Sequence, residues 1–183
     1  ISSVLAGSGV LTKTGAGVAT LTGANVYTGG TLVSGGTLVM GVGGALPATG
    51  AVTLSGTGSL DLGGADMPVG AFTLSGGTLL NGALRATSYT LNSGTISADL
   101  VGTASANKVS SCLVLLNGEI RSTGDVNVLE GTLKLGASER LSDEARLYIN
   151  GGTFDMGNFS ETVGRLRMRS ANIVTGNNPG TLT

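Results

Sequence analysis

Three observations predict an all-β chain built as a single-stranded parallel β-helix, with about eight or nine rungs and no true helices. An apolar motif returns about every 20 residues, a longer repeat lies above it, and the composition is rich in glycine and poor in aromatics. A stack of similar rungs suggests a spacer or a binding surface before it suggests an enzyme.

The motif sets two apolar residues on either side of a turn rich in Gly, Ser or Asn. It reads at Val33 and Leu38, Leu74 and Leu79, Leu91 and Ile96, Leu115 and Ile120, Val128 and Leu133, Ile149 and Phe154, and Met168 and Ile173. Two residues earlier the chain is usually apolar again, at Phe72, Tyr89, Leu113, Val126, Leu147 and Leu166, so each arm alternates with the period of a strand. The spacing of copies fits one solenoid coil, not a hairpin.

The longer repeat pairs Gly29, Val33, Gly36 and Leu38 with Gly124, Val128, Gly131 and Leu133 at an offset of 95. After one deletion, 58–62 (GSLDL) and 152–156 (GTFDM) agree at 94. We read 1–183 as one β-helix holding long units at approximately 10–104 and 105–183, the second incomplete. That break, and ends without polar caps, predict a piece of a longer repetitive protein.

Composition narrows the alternatives. With 33 Gly, 3% aromatic and 11% charged residues, and a mean hydropathy of +0.33, the chain is too apolar for disorder and too poor in aromatics for an ordinary sandwich core. Thr53, Thr73 and Thr90 suit an outer strand face, where β-propensity and solubility are both needed. Gly77, Gly152 and the pairs Asn81-Gly82, Asn117-Gly118 and Asn150-Gly151 suit corners. Pro47, Pro68 and Pro179 fall beside loop positions and leave the strands unbroken.

The wording of the repeats resembles the autotransporter-associated β-strand repeat of bacterial type V secretion passengers. The likeness is carried by 13–17 (KTGAG), 20–25 (TLTGAN), 27–31 (YTGGT) and 35–38 (GGTL), and by similar phrases at 89–98 and 152–164. It implies a right-handed β-helix displayed outside a Gram-negative-type cell, with an outer-membrane translocator that is not within these residues. The tract 107–122 departs from the pattern, replacing Thr and Gly by Val109, Ser111, Cys112 and Glu119.

Catalytic signals are few. The chain has no His, which removes triad bases and imidazole ligands. Lys13, Lys108 and Lys134 carry no flanking nucleophile motif. Parallel β-helices do host polysaccharide lyases and hydrolases, whose carboxylates would come from Asp61, Asp66, Asp99, Asp125, Asp155 and Glu161. Asp61 and Asp155 recur with the long repeat and so read as structural. The stretch 56–61 departs from a calcium-binding turn, and 41–46 reads as a turn, not a phosphate loop. No cofactor or metal is expected.

Charge supplies the surface clue. Of 21 charged residues, 15 lie from Glu119 onward. Arg165, Arg167 and Arg169 alternate with Leu166 and Met168, so one strand would present three guanidinium groups outward. These arginines are the candidate surface contact, for a glycan or another cell-surface component; a solvated face neutralised by Glu144 or Asp155 is the plainer reading. A net charge of −1 and the lack of interleaved aromatics argue against nucleic acid. Cys112 is the single thiol, expected half-buried and unreactive.

The expected role is a non-catalytic extracellular stalk, adhesin shaft or filament segment, with end-to-end self-association as one consequence of open strand edges. A carbohydrate-active enzyme is one alternative. A flat-surface binder is the other, and it would need an unbroken outward Thr ladder; Thr53, Thr73, Thr90 and Arg167 are expected to share one column.

Overall fold

The computed structural model describes residues 1–177 and 180–183, so Pro179 lies outside the described residues. The first half contains β1 (Leu11–Lys13), β2 (Val18–Leu21), β3 (Thr31–Val33), β4 (Thr37–Met40), β5 (Val52–Asp61), β6 (Asp66–Pro68), β7 (Ala71–Leu80) and β8 (Ala83–Arg85). The second contains β9 (Ser88–Ile96), β10 (Asp99–Val101), β11 (Ala106–Leu116), β12 (Val126–Leu135), β13 (Arg146–Asn150), β14 (Thr153–Gly157), β15 (Arg165–Arg169) and β16 (Asn172–Thr175). Every strand pairing is parallel, and no helix occurs among the described residues.

The pairings wind these strands into a β-solenoid of about nine turns. A first face runs β1, β3, β5, β7, β9, β11, β12, β13, β15. Long strands such as β5 and β7 bend at a glycine corner, with their far halves on a second face beside β2, β4, β14 and β16. A third, narrower face joins β6, β8 and β10, and continues as single bridges from Leu100 to Ile120 to Leu141. Each coil therefore takes three short runs, each with one side inward.

That geometry explains the repeating apolar motif. Val33, Leu54, Leu74, Leu91, Val128 and Ile149 occupy one inward column, each at most 1% exposed. Leu38, Leu60, Leu79, Ile96 and Leu116 form a second column on the next face. Aliphatic side chains stacked at the rung spacing of about 4.8 Å bury apolar surface above and below, so each contributes about 1.5–3 kcal/mol. Phe72 and Tyr89 sit in adjacent rungs with an edge-to-face contact at 6.4 Å.

Two steps are short, Phe72 to Tyr89 and Tyr89 to Ala106, each 17 residues. Other steps run from 19 to 21, as from Leu147 to Leu166 and from Thr31 to Val52. The unequal steps account for a long repeat that drifts between 94 and 95.

The rung at 106–116 corrects the sequence reading. Leu115 and Ile120 are not its corner pair: the inward residues are Lys108, Val114 and Leu116, while Ile120 belongs to the third face. Leu113 is 48% exposed instead of inward. The register slips between Lys108 and Leu113, where β11 carries extra residues around its corner. Apolar spacing misplaces the pair in this rung because its inward position on the first face holds a lysine.

Glycine corners are tight. Gly77 has φ +73° and its missing Cβ would lie 1.9 Å from the carbonyl oxygen of Gly58 on the rung before. Gly152 needs no left-handed backbone; its restriction is steric, with Val128 Cγ1 at 2.7 Å. Of the three Asn-Gly pairs, only Asn81 places its asparagine in the left-handed region, at φ 52°.

Candidate functional site

The arginine strand β15 lies on the outer first face, and Arg165, Arg167 and Arg169 are all exposed. Strand alternation puts them on one side, and parallel register sets them against β13: Arg165 beside Arg146, Arg167 beside Tyr148, Arg169 beside Asn150. The Arg167 guanidinium lies over the Tyr148 ring, 5.9 Å from its centre, at the outer range of a cation–π contact. Arg146 pairs with Asp125 at 2.7 Å.

Arg165, Arg167, Arg146 and Asp125 line an open groove of about 280 Å³ together with Asn127, Leu147 and Tyr148, and Arg169 lies outside that lining. Among the described residues, none of the three β15 arginines has an acidic partner. Among the described residues neither Glu144 nor Asp155 forms an ion pair with them; Asp155 pairs with Lys134 at 2.9 Å, on the second face. The sequence reading missed Arg146 and Tyr148, although each precedes its β15 neighbour by 19 residues, one coil.

The carboxylates are dispersed. Asp66 meets Arg85 at 2.6 Å, and Glu119 anchors a network with Arg121 at 2.6 Å and Arg140 at 3.4 Å. The hydrogen bond from Arg121 holds Glu119 below its usual pKa range. Asp61 and Asp155 each accept the backbone N–H two residues on, from Gly63 and Gly157, at 2.8 Å in both cases. The recurrence of one turn in both places is the structural use expected of them. Among the described residues no group of three or more Cys, Asp or Glu side chains is placed to hold a metal ion.

Two buried ionisable groups close corners. Lys108 is fully buried, and its Nζ donates to the Ser110 carbonyl and, at 3.1 Å, to that of Glu130 one rung on. Burial lowers its pKa. Lys13, 95 residues earlier, makes the matching bonds to Thr14 and Gly15 in its own turn at 2.8 Å and to Gly35 at 2.9 Å. Glu161 is fully buried and accepts N–H bonds from Arg140 at 2.8 Å and Leu141 at 3.0 Å. Burial pushes its pKa up to about 7, against those two bonds, which favour the charged form.

The Glu161 arrangement recurs with other chemistry. Asn25 Oδ1 accepts from the Leu5 N–H at 2.9 Å, and Met67 Sδ faces the Leu46 N–H at 3.4 Å. In each case a side chain of one rung closes a corner amide on the preceding rung. Cys112 is exposed at the corner of β11, correcting the half-buried placement.

Stacked parallel coils, one inward aliphatic column per face and corners tied from rung to rung define a β-solenoid repeat protein. Within it, residues 11–40, comprising β1 to β4 and the Lys13 tie, match the family model described as passenger-associated-transport-repeat. The match agrees with the passenger-repeat resemblance of the same residues. No curated protein and no solved structure gives a match to the chain.

Proposed function

We propose that this chain is a non-catalytic shaft segment of a passenger displayed at a bacterial cell surface, holding other parts of its parent protein at a distance. The observation that carries this reading is the inward column, which runs through consecutive parallel rungs from Val33 to Ile149. A rod held by rung-to-rung contacts lengthens by about 4.8 Å per coil without a change in its chemistry. The passenger-repeat match at 11–40 supports the surface location. The outward column supports a shaft over a flat-surface binder: it runs Thr53, Thr73, Thr90, then Asn107, Asn127, Tyr148 and Arg167, so the threonine ladder ends after three rungs.

A length-preserving exchange tests the reading. The chain is replaced in its parent protein by an unrelated β-solenoid with the same number of coils, and the surface activity of the parent is measured. A shaft predicts retained activity after exchange and graded loss when coils are removed. Loss of activity on exchange at constant length overturns the proposal.

A further inference from the structure

The grid formed by β13 and β15 has more chemistry than a shaft requires. Arg165, Arg167 and Arg169 stand about 6.6 Å apart along one strand, and Arg146 and Tyr148 stand one rung behind. With Arg146 compensated by Asp125, the face keeps three guanidinium groups that have no acidic partner among the described residues, on a chain whose net charge is −1. Because the strand fixes the spacing, binding need not order a loop first.

Two features select the ligand. The row presents guanidinium forks, which grip sulfate or carboxylate groups through paired N–H bonds. The groove beside it adds polar groups, Asp125, Asn127 and Tyr148, which offer acceptors and donors to hydroxyls. Arg167 already lies over the Tyr148 ring, so a nucleobase stacking there would have to displace it. We propose that the β13–β15 face binds an acidic polysaccharide, its anionic groups on Arg165, Arg167 and Arg169 and its hydroxyls against Asp125 and Asn127. This site is independent of the shaft reading: either can fail while the other stands.

The test titrates the 183-residue chain with dextran sulfate, unsulfated dextran, double-stranded DNA and polyglutamate, in a salt series. Dextran sulfate is expected to bind with a log–log salt slope of magnitude about 2–3, and unsulfated dextran not to bind. R165S/R167S/R169S should weaken binding about tenfold or more and flatten the slope, with each single variant removing about one from it. R85S/R121S removes two arginines placed elsewhere and should change affinity less than about twofold. All substituted positions are exposed, so unchanged thermal unfolding is the accompanying control. Absence of binding to dextran sulfate, equal losses in R85S/R121S, equal binding of unsulfated dextran, or tighter binding of DNA or polyglutamate would each overturn the proposal.

Discussion

The rung at β7 and the rung at β11 solve the same corner with opposite means. In β7 the inward residue is Leu74, and the turn closes because Gly76 and Gly77 let backbone lie directly on the Gly56 and Gly58 backbone of the rung before. In β11 the inward residue is Lys108, the turn carries extra residues, and the ammonium gathers carbonyls that glycine geometry leaves open. Close backbone approach and ladder pairing secure the first corner, whereas hydrogen bonding to a buried cation helps to secure the second. A solenoid can thus absorb a longer corner without breaking its column, provided a donor fills the space.

The contrast can be broken most severely at its glycine end. Gly77→Val should destabilise the fold by about 3 kcal/mol or more, because it combines a left-handed backbone with an overlap against Gly58; the denaturant midpoint reads this directly. Lys108→Ala should cost about 3 kcal/mol, through a cavity and open carbonyls, while Lys13→Ala, at a half-buried site, should cost under about 1 kcal/mol. Similar losses at both lysines would contradict the view that burial sets the importance of the tie.

Register is tested one step lower. Val114→Ala should cost about 2 kcal/mol and Leu115→Ala distinctly less, since Val114 faces the column and Leu115 is only half-buried. The reverse order would restore the simple apolar spacing at this rung.

Glu161 gives a pH-dependent effect. Its folded pKa, about 7, lies above its ordinary 4.5, so the native state binds the proton more tightly than the unfolded chain. Stability is therefore expected to fall as pH rises from about 4.5 to about 7, and Glu161→Gln should flatten that segment of the stability profile. The smallest effect is at the corner of β11, where Cys112→Ser should change stability by no more than about 0.5 kcal/mol because the thiol is exposed.

Where aliphatic residues face inward, periodicity alone reveals the coil: Val33, Leu74, Leu91, Val128 and Ile149 were all legible, as was the column that joins Thr53, Thr73, Thr90 and Arg167. Periodicity fails at Lys108 for a physical reason, since hydropathy does not recognise a charged side chain whose ammonium is taken up by carbonyls of its own corner and of the next rung. The clue was its place 95 residues after Lys13. The arginine row was legible by strand alternation, but Arg146 and Tyr148 join it only through register between coils, which depends on a step of 19 residues where neighbouring steps are longer. Glu161 read as a candidate acid, whereas its surroundings give it the role that Asn25 and Met67 hold in other rungs.

The ties made by Asn25, Met67 and Glu161 all point the same way along the stack. The amides of Leu5, Leu46 and Leu141 gain their partners only when the following coil has docked. A coil added at that side thus completes an amide of its predecessor, while the amides of Glu119, Asp125, Ser160 and Thr162 take side-chain acceptors from the coil before them, so ties cross the seams in both senses. Shortening the stack from that side would strip away a coil and also leave an amide of the surviving neighbour without its acceptor.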